Sequence, residues 1–269
     1  MKSQKRKVST IANGSAAQNV GGIVIRHCHG IAEFEACIRV EREVWKSSDI
    51  DIVPTPLFVV ASETGGQVLG AFQGADLIGF TLAICGWRAR KPFLHSHMTA
   101  VLPGHRDSGI GRRLKLYQRT DALVRGIDLV EWTFDPLVTK NAYFNFMRLG
   151  AIARRYVPNA YGITTSPLHG SLPTDRLVAE WHLRSDRVKR VLAGKSAAVR
   201  AVNAKRTVQI EMPANLDELK DKDPLRASQI QTETREDFLK WFKKGYAATA
   251  VVVNRSGGLD YMLEPWSRI

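Results

Sequence analysis

Between residue 22 and about residue 183, segments whose apolar residues have the spacing of a β-strand alternate with segments whose apolar residues have the spacing of an α-helix. Apolar runs or strict alternation, typical of strands, occur at 22–29, 67–72, 76–87, 93–102, 127–136, 151–157 and 175–183. Apolar residues at helical spacing occur at 31–47, 56–63, 110–125 and 141–150. This order predicts an α/β (α+β) fold, in which helices flank a central sheet of mixed strand direction.

The pattern resumes near the end of the chain after a basic stretch. A helix is predicted from about Thr234 to Lys244, stopped by Gly245 and followed by a strand. Its aromatic residues Phe238, Trp241 and Phe242 are expected to face inward. We therefore predict four parts: a flexible basic tail (1–20), a main domain (21–183), a basic connector (184–204) and a small C-terminal α/β extension (205–269).

Composition narrows the class of protein and of partner. Apolar residues make up 44% of the 269 residues and charged residues 24%, as in globular proteins with a proper core. No apolar run is long enough to cross a bilayer, so no membrane partner is expected. The net charge of +13 favours anionic partners such as nucleic acid or a phosphorylated small molecule, without choosing between them. Three widely spaced cysteines favour a reducing cytoplasm over a disulfide scaffold.

A glycine-rich turn lies between a predicted strand and a predicted helix. The strand 93–102 ends at Pro103, and Gly109 and Gly111 precede an apolar stripe on which Lys115 is placed on the solvated side. A helix start presents unpaired amide groups and partial positive charge, and glycine lets an anion approach the backbone closely. By spacing alone, a phosphate-binding loop and an ordinary glycine turn remain open. The spacing fits neither the Walker nor the Rossmann motif.

Two segments together resemble the GNAT superfamily of acyl-CoA N-acyltransferases. The residues from Arg106 to Gly111 match the family's R/Q-x-x-G-x-G/A pyrophosphate loop, and residues 141–151 (NAYFNFMRLGA) resemble its second signature. The resemblance covers about residues 22–165. The sequence from Phe134 to Gly162, followed by DRLVAEWHL, also resembles a predicted bacterial branch of the family with a C-terminal extension.

The resemblance implies a cytoplasmic enzyme that moves an acyl group, acetyl by default, from acyl-CoA to a primary amine of a small molecule or amino acid. Direct attack of the amine on the thioester is expected, without a metal. The resemblance assigns coenzyme A to the following residues: Ala100, Val101, Leu102, Arg106, Ser108, Gly109, Ile110, Gly111, Arg112 and Asn145. The alternative is a non-catalytic GNAT-like module that binds coenzyme A or an anionic polymer such as nucleic acid.

The sequence departs from the family where a general acid is expected. Many members have a tyrosine four residues before the glycine of the L-G pair, whereas this chain has Phe146, which has no proton to donate. Three alternatives remain open: Tyr143 or a water molecule serves instead, the thiolate leaves unprotonated, or the protein is a weak catalyst.

Four residues are candidates for the base. His97 is the first, with His95 two residues earlier and expected on the same strand face, because a histidine titrates near neutral pH. Asp135 and Glu131 lie on the neighbouring strand. A structural hydrogen-bonding role is an equal alternative for each histidine, and Asp135 before Pro136 is more typical of a turn residue.

Overall fold

The computed structural model describes residues 17–162, 172–195, 206–214, 216–255 and 257–266. Their strands form one eleven-stranded sheet in the order β1-β2-β3-β4-β5-β6-β8-β7-β10-β11-β9. The strands are β1 (Gln18–Val20), β2 (Ile23–His27), β3 (Gln67–Gln73), β4 (Asp76–Arg88), β5 (Lys91–Val101), β6 (Leu129–Phe134), β7 (Ile152–Val157), β8 (Arg176–His182), β9 (Val208–Ile210), β10 (Tyr246–Val253) and β11 (Leu259–Pro265).

Seven α-helices occur in the described part of the chain: α1 (Gly30–Trp45), α2 (Thr55–Glu63), α3 (Ile110–Val124), α4 (Thr139–Tyr143), α5 (Asp186–Leu192), α6 (Leu216–Lys222) and α7 (Pro224–Lys243). A π-helical turn, Phe144–Arg148, continues α4. The prediction of a mixed α/β fold with helices flanking a central sheet is confirmed.

The helices cover the sheet through the apolar stripes that their sequences carry. Phe34 of α1 and Phe58 of α2 pack with Phe80 of β4 in one buried cluster. Leu114 and Tyr117 of α3 pack against β2 and β3 in a second cluster. Ile31, the first apolar residue of the predicted helix at 31–47, is 53% exposed and takes no part in this packing.

Strands β5 and β6 are parallel, and they are paired only at Leu94 with Val130 and at His95 with Glu131. Beyond these two pairs the strands part, although both continue for several residues. Pairing with β4 also shifts along β5, since Leu82 faces Met98 while Ala83 faces Ser96. His97 is therefore the extra residue of a β-bulge, which locally re-aims side chains.

The C-terminal extension continues the central sheet, since β10 pairs with β7 at Ala248 and Ala153. Helix α7 begins at Pro224, earlier than the predicted Thr234, and its Phe238 is fully buried in the core that also contains β6 and β8. Trp241 and Phe242 are only partly buried against that core. The sequence reading did not predict α6 or β11.

Polar contacts also join the extension to the main domain. The Tyr261 hydroxyl donates to the carbonyl oxygen of Pro136 at 2.6 Å. Arg235 of α7 forms two hydrogen bonds to the buried carboxylate of Asp175, at 2.8 and 3.1 Å. The predicted division into domains stays a prediction, but residues 206–266 pack on the rest of the described chain through its core.

The two segments predicted to be flexible or linking lie partly outside the described residues. Residues 18–20 of the predicted tail form β1, the edge strand beside β2. The first part of the predicted connector forms α5, where Val188 and Val191 are buried. Within the described ranges, none of the helices is both long and apolar enough to span a membrane.

Candidate functional site: a cleft between two parting strands

A cleft of about 700 Å³ occupies the space between β5 and β6 where the strands part. Its size lies in the range of small-molecule binding sites. Its apolar lining comes mainly from Trp45, Met98, Trp132, Phe134, Val138 and Phe144. Its polar lining includes His97, Lys115, Asp135, Asn145, Arg176 and Lys220, and Gly111 lies where α3 meets the cleft.

The glycine-rich turn forms the N-terminus of α3, as the sequence predicts. Gly109 is the residue that caps the helix, and its φ of +81° is a left-handed conformation that favours glycine. The amides that follow it, from Ile110 to Arg112, belong to the first helical turn and have no acceptor within the helix. A Cβ on Gly111 would meet only Val101 Cγ2, at 4.0 Å. The turn therefore presents open space in front of unpaired amides.

Some side chains of this loop form hydrogen bonds within the protein, and others are partly exposed to solvent. Ser108 Oγ donates to the carbonyl of His105 at 2.5 Å, and Arg106 Nε donates to the carbonyl of Val101 at 3.4 Å. Ile110 is 1% exposed, so that only its backbone is available to a ligand. Arg112 is half-buried at the helix start.

The strand segment that borders the cleft differs from the predicted one. Ser96 to Thr99 line the cleft, whereas Ala100, Val101 and Leu102 do not. The amide of Leu102 already donates to the carbonyl of Ile78 at 3.0 Å. The Leu102 amide is therefore engaged within the fold, and the prediction that Ala100, Val101 and Leu102 bind coenzyme A stays a prediction.

The bulge separates the two histidines that strict alternation would place together. His97 lines the cleft and His95 does not, although their ring centroids are 6.1 Å apart. Burial lowers the pKa of the His97 imidazole. It also lowers the pKa of His95, with a smaller contribution from the neighbouring charge of His97. The side chain in the cleft is thus held in its neutral, proton-accepting form at neutral pH.

The two acidic candidates have different positions. Asp135 lines the cleft, where its carboxylate accepts the amide of Leu137 at 2.8 Å and lies 3.8 Å from Lys220 Nζ. It therefore has the turn role that the sequence favours and also faces the cleft. Glu131 is buried outside the cleft lining, where it forms salt bridges with Arg88 and Arg155.

The expected acid Tyr143 does not reach the cleft: it is 44% exposed and is not among the lining residues. This corrects its predicted place in the site. Phe146 is fully buried and packs edge-on against the rings of Phe134 and Tyr261. The position at which the family has a tyrosine therefore belongs to the core shared with the extension.

Asn145, predicted to bind coenzyme A, lines the cleft and is 3% exposed. Its Oδ1 accepts the indole N–H of Trp132 at 3.2 Å, which fixes the orientation of the amide. Its buried Nδ2 has no hydrogen-bond partner among the described residues. An unpaired buried donor costs free energy, so it marks a place where an acceptor from a ligand would be stabilised.

Sequence reasoning missed Lys115. Its Nζ donates to Ser96 Oγ at 2.7 Å and to Gln118 Oε1 at 3.1 Å, and it lies 4.2 Å from the centre of the Trp132 ring. The residue is 4% exposed, and burial lowers the pKa of its amine to about 7. The available signal was its position one helical turn after Gly111, on the same helix face.

The extension contributes to the cleft through Lys220 of α6. Arg176, at the start of β8, lies with its guanidinium 5.5 Å from the Tyr161 ring, which also lines the cleft. The lining has more basic than acidic groups. Its basic side chains are those of Lys115, Arg176 and Lys220, and its single carboxylate is that of Asp135.

No protein-family profile matches the chain, and none of the curated proteins does. Solved structures do match. A Desulfovibrio desulfuricans protein assigned to the GNAT family of acetyltransferases is 15% identical, with a TM-score of 0.48, over 60% of this chain and 99% of that one. The Escherichia coli ribosomal-protein-S18-alanine N-acetyltransferase is 15% identical, with a TM-score of 0.46, over 60% and 94%. An Elizabethkingia anophelis GNAT acetyltransferase with acetyl-CoA bound is 13% identical, with a TM-score of 0.43, over 61% and 99%.

Proposed function

We propose that the protein is an acyl-CoA-dependent N-acyltransferase that uses the cleft between β5 and β6, with acetyl as the default acyl group. The observation that carries this proposal is the position of the glycine-rich turn. Gly111 of the R-x-x-G-x-G segment lines a cleft that separates two parallel strands and also contains a neutral histidine. The proposal joins the sequence resemblance to the geometry of the described residues.

The residues at the start of α3 suit a diphosphate. Amide groups from Ile110 to Arg112 have no acceptor within the helix, and the helix N-terminus adds partial positive charge. The absence of a Cβ at Gly111 leaves the space that a phosphate would fill. Arg106 and Arg112 add charge that can pair with phosphate oxygens. The acyl end would then lie along Ser96 to Thr99, toward Trp132 and Asn145.

The chemistry requires a neutral amine, because an ammonium group has no lone pair for attack on the thioester carbonyl. His97 would accept the amine proton, since burial favours its neutral imidazole. Asn145 Nδ2 would donate to the carbonyl oxygen as negative charge develops there. Asp135, held by Leu137 and facing Lys220, would orient the acceptor rather than carry its proton.

The second candidate function is a binding module without turnover. The observation that favours it is the core position of Phe146, together with the exposed position of Tyr143 outside the cleft. With neither residue in place, the leaving thiolate lacks a tyrosine at either expected position, and the hydroxyl of the cleft tyrosine Tyr161 is paired with Thr133 Oγ1 at 2.6 Å. Such a module would hold coenzyme A or an anionic polymer such as nucleic acid.

The two functions are separated by a thiol-release assay with acetyl-CoA and a panel of primary amines. The N-acyltransferase predicts release of coenzyme A that depends on the amine and yields an N-acetyl product. Binding of acetyl-CoA without amine-dependent release for any amine would support the binding module. Salt-dependent binding of DNA in place of acetyl-CoA would support the polymer form of that module.

A further inference from the structure

Ser96 and Lys115 form a buried pair in the cleft that the proposed transfer to an amine does not use. We propose that they are a nucleophile and its base, and that they give the cleft a second activity: hydrolysis of acyl-CoA through an acyl ester on Ser96. The inference rests on the proposed function in one respect, namely that acyl-CoA binds in this cleft.

The geometry of the pair fits proton transfer from the hydroxyl to the amine. Ser96 Oγ and Lys115 Nζ are 2.7 Å apart, within the range for a nucleophile and its base. Both residues line the cleft. Because Ser96 is only 3% exposed, a reactant would reach its hydroxyl through the cleft and not from bulk solvent.

The side chains of Gln118 and Gln67 hold the lysine in this position. Gln118 Oε1 accepts from Lys115 Nζ at 3.1 Å, and Gln118 Nε2 donates to Gln67 Oε1 at 3.1 Å. The latter bond keeps the oxygen of the Gln118 amide toward the lysine. Gln67 in turn donates to Asp121 Oδ2 at 2.6 Å, so the network is anchored in the buried core of α3.

The surroundings favour a lysine without charge. None of the salt bridges among the described residues involves Lys115, and Asp121 is paired instead with His27 and Arg125. The titratable and charged groups that share the cleft or face the lysine are His95 and His97 from β5, together with Asp135, Arg176 and Lys220. Burial lowers the pKa of the lysine to about 7, so a large fraction is neutral near neutral pH. A neutral amine has the lone pair that a base needs.

A donor for the developing oxyanion is connected to the same pair. The Trp132 ring lies 4.2 Å from Lys115 Nζ, and its N–H donates to Asn145 Oδ1. The Nδ2 of Asn145, which is buried and unpartnered in the described structure, is thereby fixed beside the cleft. Nucleophile, base and a pre-oriented donor are the three parts that acyl transfer to a side chain requires.

The reaction balances without a further reagent. Ser96 Oγ attacks the thioester carbonyl carbon while its proton moves to Lys115 Nζ. The C–S bond then breaks, and the same proton passes to the thiolate, which leaves as coenzyme A. Water attacks the acyl ester in the second half, giving its proton to Lys115. The C–O bond breaks and Ser96 Oγ takes that proton, which releases the carboxylic acid.

The test mixes the full-length protein with acetyl-CoA in the absence of any amine. We expect a burst of coenzyme A release equal to the enzyme concentration, slow continued release, and one acetyl group on the peptide that contains Ser96. Ser96→Ala is expected to abolish the burst and the adduct, and Lys115→Met to slow both by about 10²-fold or more. Thr120→Val, which removes an exposed hydroxyl on the same helix, α3, away from the cleft lining, serves as the matched control and should retain both.

Failure of this inference is distinguishable from failure of the proposed function. Amine-dependent release without a burst or an adduct in the wild type would overturn the inference and leave the N-acyltransferase intact. An acetyl group found on Lys115 rather than on Ser96 would also overturn it. If Lys115→Met does not fold, Ser96→Ala, which removes a single hydroxyl, decides the question, and persistence of the adduct on the same peptide in that variant contradicts the proposal.

Discussion

His97 and Lys115 line the same cleft, and burial lowers the pKa of both, but from very different starting values. The imidazole pKa moves below its ordinary 6.5, whereas the amine pKa comes down to about 7. Two groups that accept protons at different pH are suited to two different proton transfers. Lys115 is assigned to Ser96 because the two are hydrogen-bonded at 2.7 Å, and His97 is assigned to the amine because it lines the cleft.

The two activities should therefore differ in pH dependence. Neutral imidazole accepts the proton, so amine-dependent kcat/KM should rise with pH through a single ionisation whose midpoint lies below that of an ordinary imidazole, measured with an amine whose own pKa lies outside the range tested. His97→Ala should remove this rise of kcat/KM with pH, the acidic limb of the profile. It should also lower the rate by about 10²–10⁴-fold, the usual effect of losing a general base. His95→Ala is the control and should keep the limb, since His95 does not line the cleft. A limb near pH 7 that survives His97→Ala and disappears in Lys115→Met would assign the amine proton to the lysine.

The buried lysine should also be visible in the stability of the protein. Its folded-state pKa of about 7 lies below the value of about 10.4 in an unfolded chain, so the unfolded state binds more protons between these values. The free energy of unfolding should therefore rise with pH by about 1.4 kcal/mol per unit from about pH 7 to 10 through this group. Lys115→Met should lack this contribution, as measured by urea unfolding at several pH values. Equal pH dependence in the two proteins would mean that the lysine is charged or hydrated in the fold.

The sequence specifies the glycine-rich turn but not the burial of Lys115. Gly109 and Gly111 are predictable because a left-handed cap and an open helix start both require glycine. A lysine on a helix with an imperfect apolar stripe is expected at the solvated edge. Its burial depends on how far β5 and β6 part, and this is a tertiary feature that helical spacing does not report.

At the scale of elements, the bulge in β5 and the extension determine the shape of the cleft. The alternation rule fails at His97, because one extra residue in the strand separates its side chain from that of His95. The extension supplies Lys220 to the cleft and buries Phe238 and Tyr261 beside Phe146. The inward position of Phe238 was predictable from helical spacing, whereas the pairing of β10 with β7 was not, because strand partners far apart in sequence leave no local pattern.

Removal of the extension should damage the main domain rather than leave it active. A chain that ends near residue 205 would expose β7 as an edge strand and uncover the apolar core around Phe146. We expect aggregation, or binding of an apolar dye together with loss of activity, as measured by size-exclusion chromatography and thiol release. Soluble, fully active protein from residues 20–204 would show instead that the extension is dispensable.

At the scale of the whole molecule, the net charge of +13 is reflected in the cleft by Arg176 and Lys220 against Asp135. The alternation of strand and helix segments was sufficient to predict the fold class, and Gly111, the last residue of the R-x-x-G-x-G segment, lines the cleft. Total charge alone favours any anionic partner. The position of the glycine-rich turn at the edge of the cleft is what favours a phosphorylated small molecule over a polymer.

Both proposed activities require acyl-CoA to bind in the cleft, and we place its diphosphate at the start of α3. Isothermal titration with acetyl-CoA tests this directly in the wild type and in Gly109→Glu and Gly111→Glu. Each substitution puts a side chain and a negative charge into the space proposed for the phosphates, and Gly111→Glu does so without a strained φ. Gly74→Glu adds the same charge at the exposed turn between β3 and β4 and is the control.

We predict that binding is lost in both loop variants and retained in the control, with the fold of Gly111→Glu intact by circular dichroism. Unchanged affinity for acetyl-CoA in a folded Gly111→Glu protein would show that the diphosphate does not bind at the start of α3.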